Sequence, residues 1–171
     1  MSGRAKVAGL GILLAALLLP SPALAQFGPL GGPGRRWSPA VGVRAGWAWK
    51  DDAPSLGGVV IVPVPLFPKR PTLTAGGDFL FQNGLTEKEG TLDVTIDLTP
   101  GLFFGGSAAM MNTIFPGETL RATRSGYGIV GGLRGRAGPL NTMIEARKLW
   151  IDNRKPSLIM LTFAYPLLSA F

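Results

Sequence analysis

Between Val41 and Trp49 every second residue is apolar (Val41, Val43, Ala45, Trp47, Trp49), and Gly42, Arg44, Gly46 and Ala48 stand between them. Successive side chains of a β-strand point to opposite faces, so this period gives a strand with one greasy face and one face of small or charged groups. About ten residues tilted near 45° cover the hydrocarbon layer of a bilayer. The stretch therefore predicts a strand that crosses a membrane.

The amino-terminal residues set the expected compartment. Arg4 and Lys6 make a charged start, Val7 to Leu19 an apolar core, and Ala23-Leu24-Ala25 a small-x-small cleavage site, so residues 1–25 read as a secretory signal peptide and Gln26 as the mature start. A transmembrane helix is the competing reading. The apolar run is shorter than the roughly 20 residues a helical span needs, and Pro20 and Pro22 follow it. The chain has no cysteine, which excludes a lipid-modified cysteine, a disulfide framework and thiolate metal sites. Residues 26–39 are rich in Gly and Pro and carry Arg35 and Arg36; they read as a flexible periplasmic lead-in, with one domain over residues 40–171.

Eight β-patterned runs follow one another between turn residues. They are Val41 to Lys50, Gly58 to Phe67, Leu73 to Gln82, Thr91 to Thr99, Ala108 to Phe115, Tyr127 to Ala137, Thr142 to Ile151 and Leu158 to Phe171. The cleanest sets Leu92, Val94, Ile96 and Leu98 against Asp93, Thr95, Asp97 and Thr99. No run shows a sustained helical period with caps. An even number of antiparallel strands with both ends on one side fits a closed up-and-down transmembrane β-barrel of the all-β class, and closure removes the open edges that lipid does not tolerate. On this count Pro68 to Pro71 and Gly138-Pro139 are tight periplasmic turns, and Asn83 to Gly90 and Pro116 to Ser125 longer, polar outer loops. Pro63, Pro65, Pro100 and Pro166 fall toward the periplasmic ends of their strands, where a missing N–H does least harm to the ladder.

With the signal ending Ala23-Leu24-Ala25, the eight runs, and a last strand carrying Tyr165, Leu167 and a terminal Phe171, the chain resembles the small eight-stranded outer-membrane proteins, the group of OmpX, OmpW and the transmembrane domain of OmpA. The resemblance covers the whole mature chain. It implies insertion in the outer membrane of a Gram-negative cell, a porin-like barrel in lipid and lipopolysaccharide, a monomer, and recognition of the last strand by the outer-membrane assembly machinery.

The competing class is a soluble periplasmic barrel of lipocalin type, with apolar residues inward around an apolar ligand. The second face discriminates. It carries Gly42, Gly46, Ala48, Gly76, Gly128 and Gly132, where a water-facing strand would show Lys, Glu and Thr, and small residues suit a crowded bore. Trp47, Trp49 and Trp150 are then an outer aromatic girdle, and Phe67, Tyr165 and Phe171 an inner one. Arg44, Arg134, Arg136 and Arg147 balance Asp78, Asp93, Asp97 and Glu145 on the lumen face, which predicts a plug of ion pairs, with Asp78 reaching Arg147 from the opposite strand.

With a neutral lumen the remaining net charge, +7 less Arg4 and Lys6, sits on rims and loops. Glu87, Lys88 and Glu89 belong to an outer loop on this reading, and Arg121, Arg124, Arg154 and Lys155 are candidate lipopolysaccharide contacts. No basic stripe with interleaved aromatics supports nucleic-acid binding. With neither His nor Cys, Ser-His-Asp and Cys-His nucleophiles and His-based zinc sites are excluded, and no cofactor is expected. Asp93 and Asp97, four apart on one strand, are separated by more than ~12 Å, too far for glycosidase chemistry. The expected function is a non-enzymatic barrel with a filled lumen, structural or for surface contact.

Overall fold

The computed structural model describes residues 38–64, 71–82, 85–114, 121–152 and 155–167. The signal peptide, residues 26–37 of the lead-in, Phe67, Arg154 and Phe171 lie outside them. The described chain is all-β. Its strands are β1 (Ala40–Ala48), β2 (Ala53–Pro63), β3 (Thr72–Gln82), β4 (Leu85–Thr99), β5 (Leu102–Ile114), β6 (Arg121–Ala137), β7 (Leu140–Ile151) and β8 (Ser157–Pro166). Each pairs antiparallel with the next, and β1 closes the ring against β8. The structure is thus a closed eight-stranded antiparallel barrel.

The register fixes its geometry. From Ala40 the facing residues run Ile61, Thr74, Asp93, Ser107, Gly128, Leu149 and Pro156, and the ring returns to β1 at Lys50, ten residues along. With about 3.3 Å per residue and about 4.7 Å between strands, this offset tilts the strands by roughly 40° and gives a backbone radius of roughly 8 Å. Such a bore is filled by side chains.

Several strands differ from the expected runs. β2 starts at Ala53, directly after a turn at Trp49 to Asp52 in which Asp52 takes φ 52°. β5 starts at Leu102, where glycines at 105 and 106 dilute the alternation. The expected outer loop from Asn83 to Gly90 is mostly strand: Gln82 faces Leu85, so only Asn83 and Gly84 connect β3 to β4. Asn-Gly is the pair that two-residue hairpins favour. Likewise residues 121–125, expected in a loop, begin β6. By strand bounds the widest gap, Pro63 to Thr72, opens at the rim that holds Ala40 and Pro166, so the described strands do not show the expected asymmetry between short periplasmic and long outer connections. Pro63 and Pro166 end their strands at that rim, and Pro100 stands in the β4–β5 turn.

Glycine lines the inside where strands crowd. A Cβ at Gly42, Gly105, Gly126 or Gly132 would strike a carbonyl oxygen of the neighbouring strand, whereas outward Gly77 and Gly90 have open space.

A charged layer between two apolar plugs as the candidate functional site

The period of two sorts the barrel wall. Outward positions carry Val41, Val43, Leu56, Val60, Phe79, Phe81, Leu92, Val94, Leu98, Phe104, Met110, Ile129, Leu133, Phe163 and Tyr165, all exposed. Of the outward side chains described on the strands, only Lys88 and Lys148 are charged. Inward positions hold buried Arg44, Asp78, Glu87, Glu89, Asp93, Arg134, Glu145 and Arg147.

Three layers stack along the lumen. At the Ala48 end, here the far rim, Ala48, Ala53, Leu80, Ala109, Met111, Leu149, Ile151, Leu158 and Met160 form one apolar cluster. At the other end Ala40, Val59, Ile61, Met143 and Ala164 form a second. Charged groups lie between them, with Glu87 alongside the first cluster, facing Leu80, and Arg134 alongside the second, facing Met143.

In the middle layer, Arg44, Gly57 and Asp78 share one row of the sheet. Because Gly57 lacks a side chain, Arg44 reaches over β2 and grips both oxygens of Asp78, with Nε donating to Oδ1 at 2.8 Å. Its Nη2 also donates to Thr91 Oγ1 at 2.9 Å, and Gly76 leaves the volume that the guanidinium fills. On the facing wall Arg147 Nη2 binds Asp93 Oδ2 at 2.7 Å and Glu145 Oε1 at 3.0 Å. Ser107 Oγ donates to Asp93 Oδ1 at 2.5 Å. Glu145 Oε1 also stands 3.6 Å from Arg44 Nη1, joining the two halves. Bidentate, charge-assisted bonds of this kind are the strong ones, and they orient the groups as well as bind them.

Asp78 takes Arg44, not the Arg147 expected from counting strands around the ring. Arg134 forms a separate site. It pairs with Asp97 Oδ1 at 3.0 Å, donates to Thr72 Oγ1 at 3.0 Å and to Thr95 Oγ1, and lies 4.3 Å from the centroid of the buried Phe103 ring. Asp97 is at the rim, its side chain 41 % exposed. Arg136 is half-buried, and its Nε donates to Asn141 Oδ1 at 3.3 Å.

The balance of four charges against four is overturned. Glu87 and Glu89, expected in an outer loop, point into the lumen and are 2 % exposed. Continuing the phase of Thr91, Asp93 and Thr95 backward along β4 reaches both, so extending the alternation past Thr91 would have found them. Glu87 Oε1 accepts from Thr113 Oγ1 at 3.1 Å.

Trp47 and Trp150 are half-buried on the outer wall near the far rim, with Trp49 exposed in the adjoining turn. Tyr127, which the sequence reading left out, stacks on Trp150 with centroids 5.7 Å apart. Lys148 and Lys88 lean over Trp150 and Phe79, 5.4 and 5.6 Å from the ring centroids. Tyr165 is exposed near the opposite rim. Among the candidate lipopolysaccharide contacts, Lys155 is exposed, Arg124 is half-buried on the inward phase of β6, and Arg121 stands in β6 with its side chain outside the described part. Among the described residues no three His, Cys, Asp or Glu side chains are grouped to hold a metal ion.

The architecture defines a class: a narrow closed barrel with an apolar outside and an ion-paired, plugged inside. No protein-family model matches the chain, and no curated protein matches it.

Proposed function

We propose that the protein is a non-enzymatic integral barrel of the Gram-negative outer membrane, exported by a cleaved signal peptide and serving envelope structure or surface contact. One observation carries the reading: exposed large apolar residues lie on seven of the eight strands, with half-buried Ile144 and Trp150 on β7, while the described charged side chains of the strands other than Lys88 and Lys148 are turned to the axis. Soluble monomers keep apolar patches to about 300–600 Å². From Gly90 to Leu98, eight steps of strand at the tilt derived above give a height of about 20 Å, close to the roughly 25 Å apolar band of outer-membrane barrels. The cations Lys88 and Lys148 and the aromatics Trp47, Trp150 and Tyr127 flank that apolar surface at the far rim, where headgroups would lie.

A lipocalin-like carrier would need an apolar cavity. In this barrel the middle is occupied by arginines and carboxylates and both ends by packed aliphatic side chains. Lipid and lipopolysaccharide are the proposed surroundings, the assembly machinery the proposed partner of the last strand, and the monomer the proposed state.

Cell fractionation tests the proposal. The mature protein is expected in the outer-membrane fraction, resistant to salt wash and extracted by detergent, and the folded form is expected to change gel mobility on boiling. Recovery from the periplasm without detergent would refute it.

A further inference from the structure

We infer that the middle layer of the lumen binds one small monovalent cation beside Glu89. The inference does not depend on where the barrel resides. Two arginines, Arg44 and Arg147, face four carboxylates in this layer, those of Asp78, Asp93, Glu145 and Glu89. Three of the acids are taken: Asp78 by Arg44, Asp93 by Arg147, and Glu145 by both. Glu89 is left over. It is 2 % exposed, and neither carboxylate oxygen has a hydrogen-bond partner.

The groups around it form no hydrogen bond or ion pair with it, although Arg147 and Arg44 are near enough to attract it. Across the β3–β4 ladder Glu89 faces Asp78, a like charge, and across the β4–β5 ladder it faces Met111. Arg124 on β6 faces the other side of Met111, is half-buried, and forms no ion pair with Glu89. Glu87 lies one step outward on the same face, again a like charge. Arg147 and Arg44 each keep buried nitrogens without partners, yet both are already committed to acids that outnumber them. A buried carboxylate without a hydrogen-bonded partner is among the costliest groups to ionise, because it forfeits hydration and the shared arginines return only part of it. The apolar cluster of Leu80, Met111, Leu149, Ile151 and Leu158 closes the lumen toward the far rim, which keeps bulk water from supplying that hydration.

One unit of positive charge neutralises Glu89 and leaves the layer with a single excess negative charge, spread over Glu145 and the two arginines that share it. No three His, Cys, Asp or Glu side chains among the described residues are grouped to hold a metal ion, so a multiply coordinated divalent ion, which takes about six or more oxygen ligands, fits less well than a proton or a singly anchored alkali ion. The occupant is a proton bonded to a Glu89 oxygen or an alkali ion held by it, and these two sources have separate signatures.

The experiment uses the full mature barrel refolded in detergent, with Glu89→Gln as the isosteric neutral variant and Glu89→Leu as a second variant should the first not fold. Infrared difference spectroscopy reads the carbonyl stretch of a protonated carboxylic acid. A band present in the wild type and lost in the variant assigns the proton. Thermal unfolding in sodium, potassium and choline chloride at equal ionic strength reads the alkali ion: a midpoint raised by sodium or potassium over choline, with the difference lost in the variant, assigns the metal. The absence of both a Glu89-dependent band and a Glu89-dependent alkali effect would overturn the inference, leaving Glu89 ionised and paired within the protein.

Discussion

Gly76 and Gly77 are neighbours in β3 with opposite fates. A Cβ at Gly76 would fall inside the guanidinium of Arg44, while one at Gly77 meets nothing within 4 Å. Glycine to alanine in a strand is intrinsically favourable by roughly 0.5–1 kcal/mol. Gly77→Ala is therefore expected to be neutral or slightly stabilising. Gly76→Ala must push the Arg44 head off Asp78 and Thr91, disturbing three hydrogen bonds, two of them to a carboxylate. Hydrogen bonds to charged groups are worth about 1.5–3 kcal/mol each, and breaking a buried pair costs about 3–5 kcal/mol, so a net loss of about 2–4 kcal/mol follows after the intrinsic gain. The cause is testable by a double-mutant cycle with Arg44→Met, whose flexible apolar end can yield to the new methyl group. In that background Gly76→Ala is expected to cost less than about 1 kcal/mol. Urea unfolding of the refolded barrel, followed by tryptophan fluorescence, measures all four corners. Equal costs for Gly76→Ala in both backgrounds would refute the claim that this glycine exists to seat Arg44.

Arg147→Met strips Asp93 of its cation and leaves Glu145 only Arg44 at 3.6 Å; it is expected to destabilise by about 3–5 kcal/mol in the same assay, more than the double variant Arg147→Met/Asp93→Leu, which removes the stranded charge too. Leu149→Ala opens a cavity in the far-rim plug and is expected to cost about 2–5 kcal/mol, lowering the unfolding midpoint. Val94→Arg places a charge on the outer wall, at an expected cost of about 2–4 kcal/mol if the position lies at the bilayer midplane. Liposome refolding checks this, and refolding in lipid as efficient as wild type would count against the membrane reading.

Much of the barrel was legible because a period of two is a property of the chain alone. The phase of Leu92, Val94, Ile96 and Leu98 continues unbroken in β4, and the inward positions of Arg44, Asp78, Asp93, Glu145 and Arg147 follow from phase. Charged residues read as loop when met as the cluster Glu87-Lys88-Glu89, although two of the three share the face of Asp93. That assumption hid the surplus of acid inside. Pairing was less accessible, since it depends on register. Arg44 meets Asp78 because the ten-residue stagger places Gly57 between them, and a glycine there is a gap in the wall of side chains only once the row is known. Phe103 was missed for a related reason: its strand begins beside glycines that carry no hydropathy signal, so nothing marked it as the floor under Arg134.

The seam between β1 and β8 couples the oldest part of the nascent domain to the newest. Ala40 faces Pro166 and Arg44 faces Thr162, so the ring cannot shut until translation has passed its final hairpin. Bringing such distant segments together exacts a loop-closure entropy before any contact rewards it, and topologies of this kind assemble slowly. During that interval the unshut sheet displays two bare edges, and the seam alone ends its exposure to edge-to-edge aggregation.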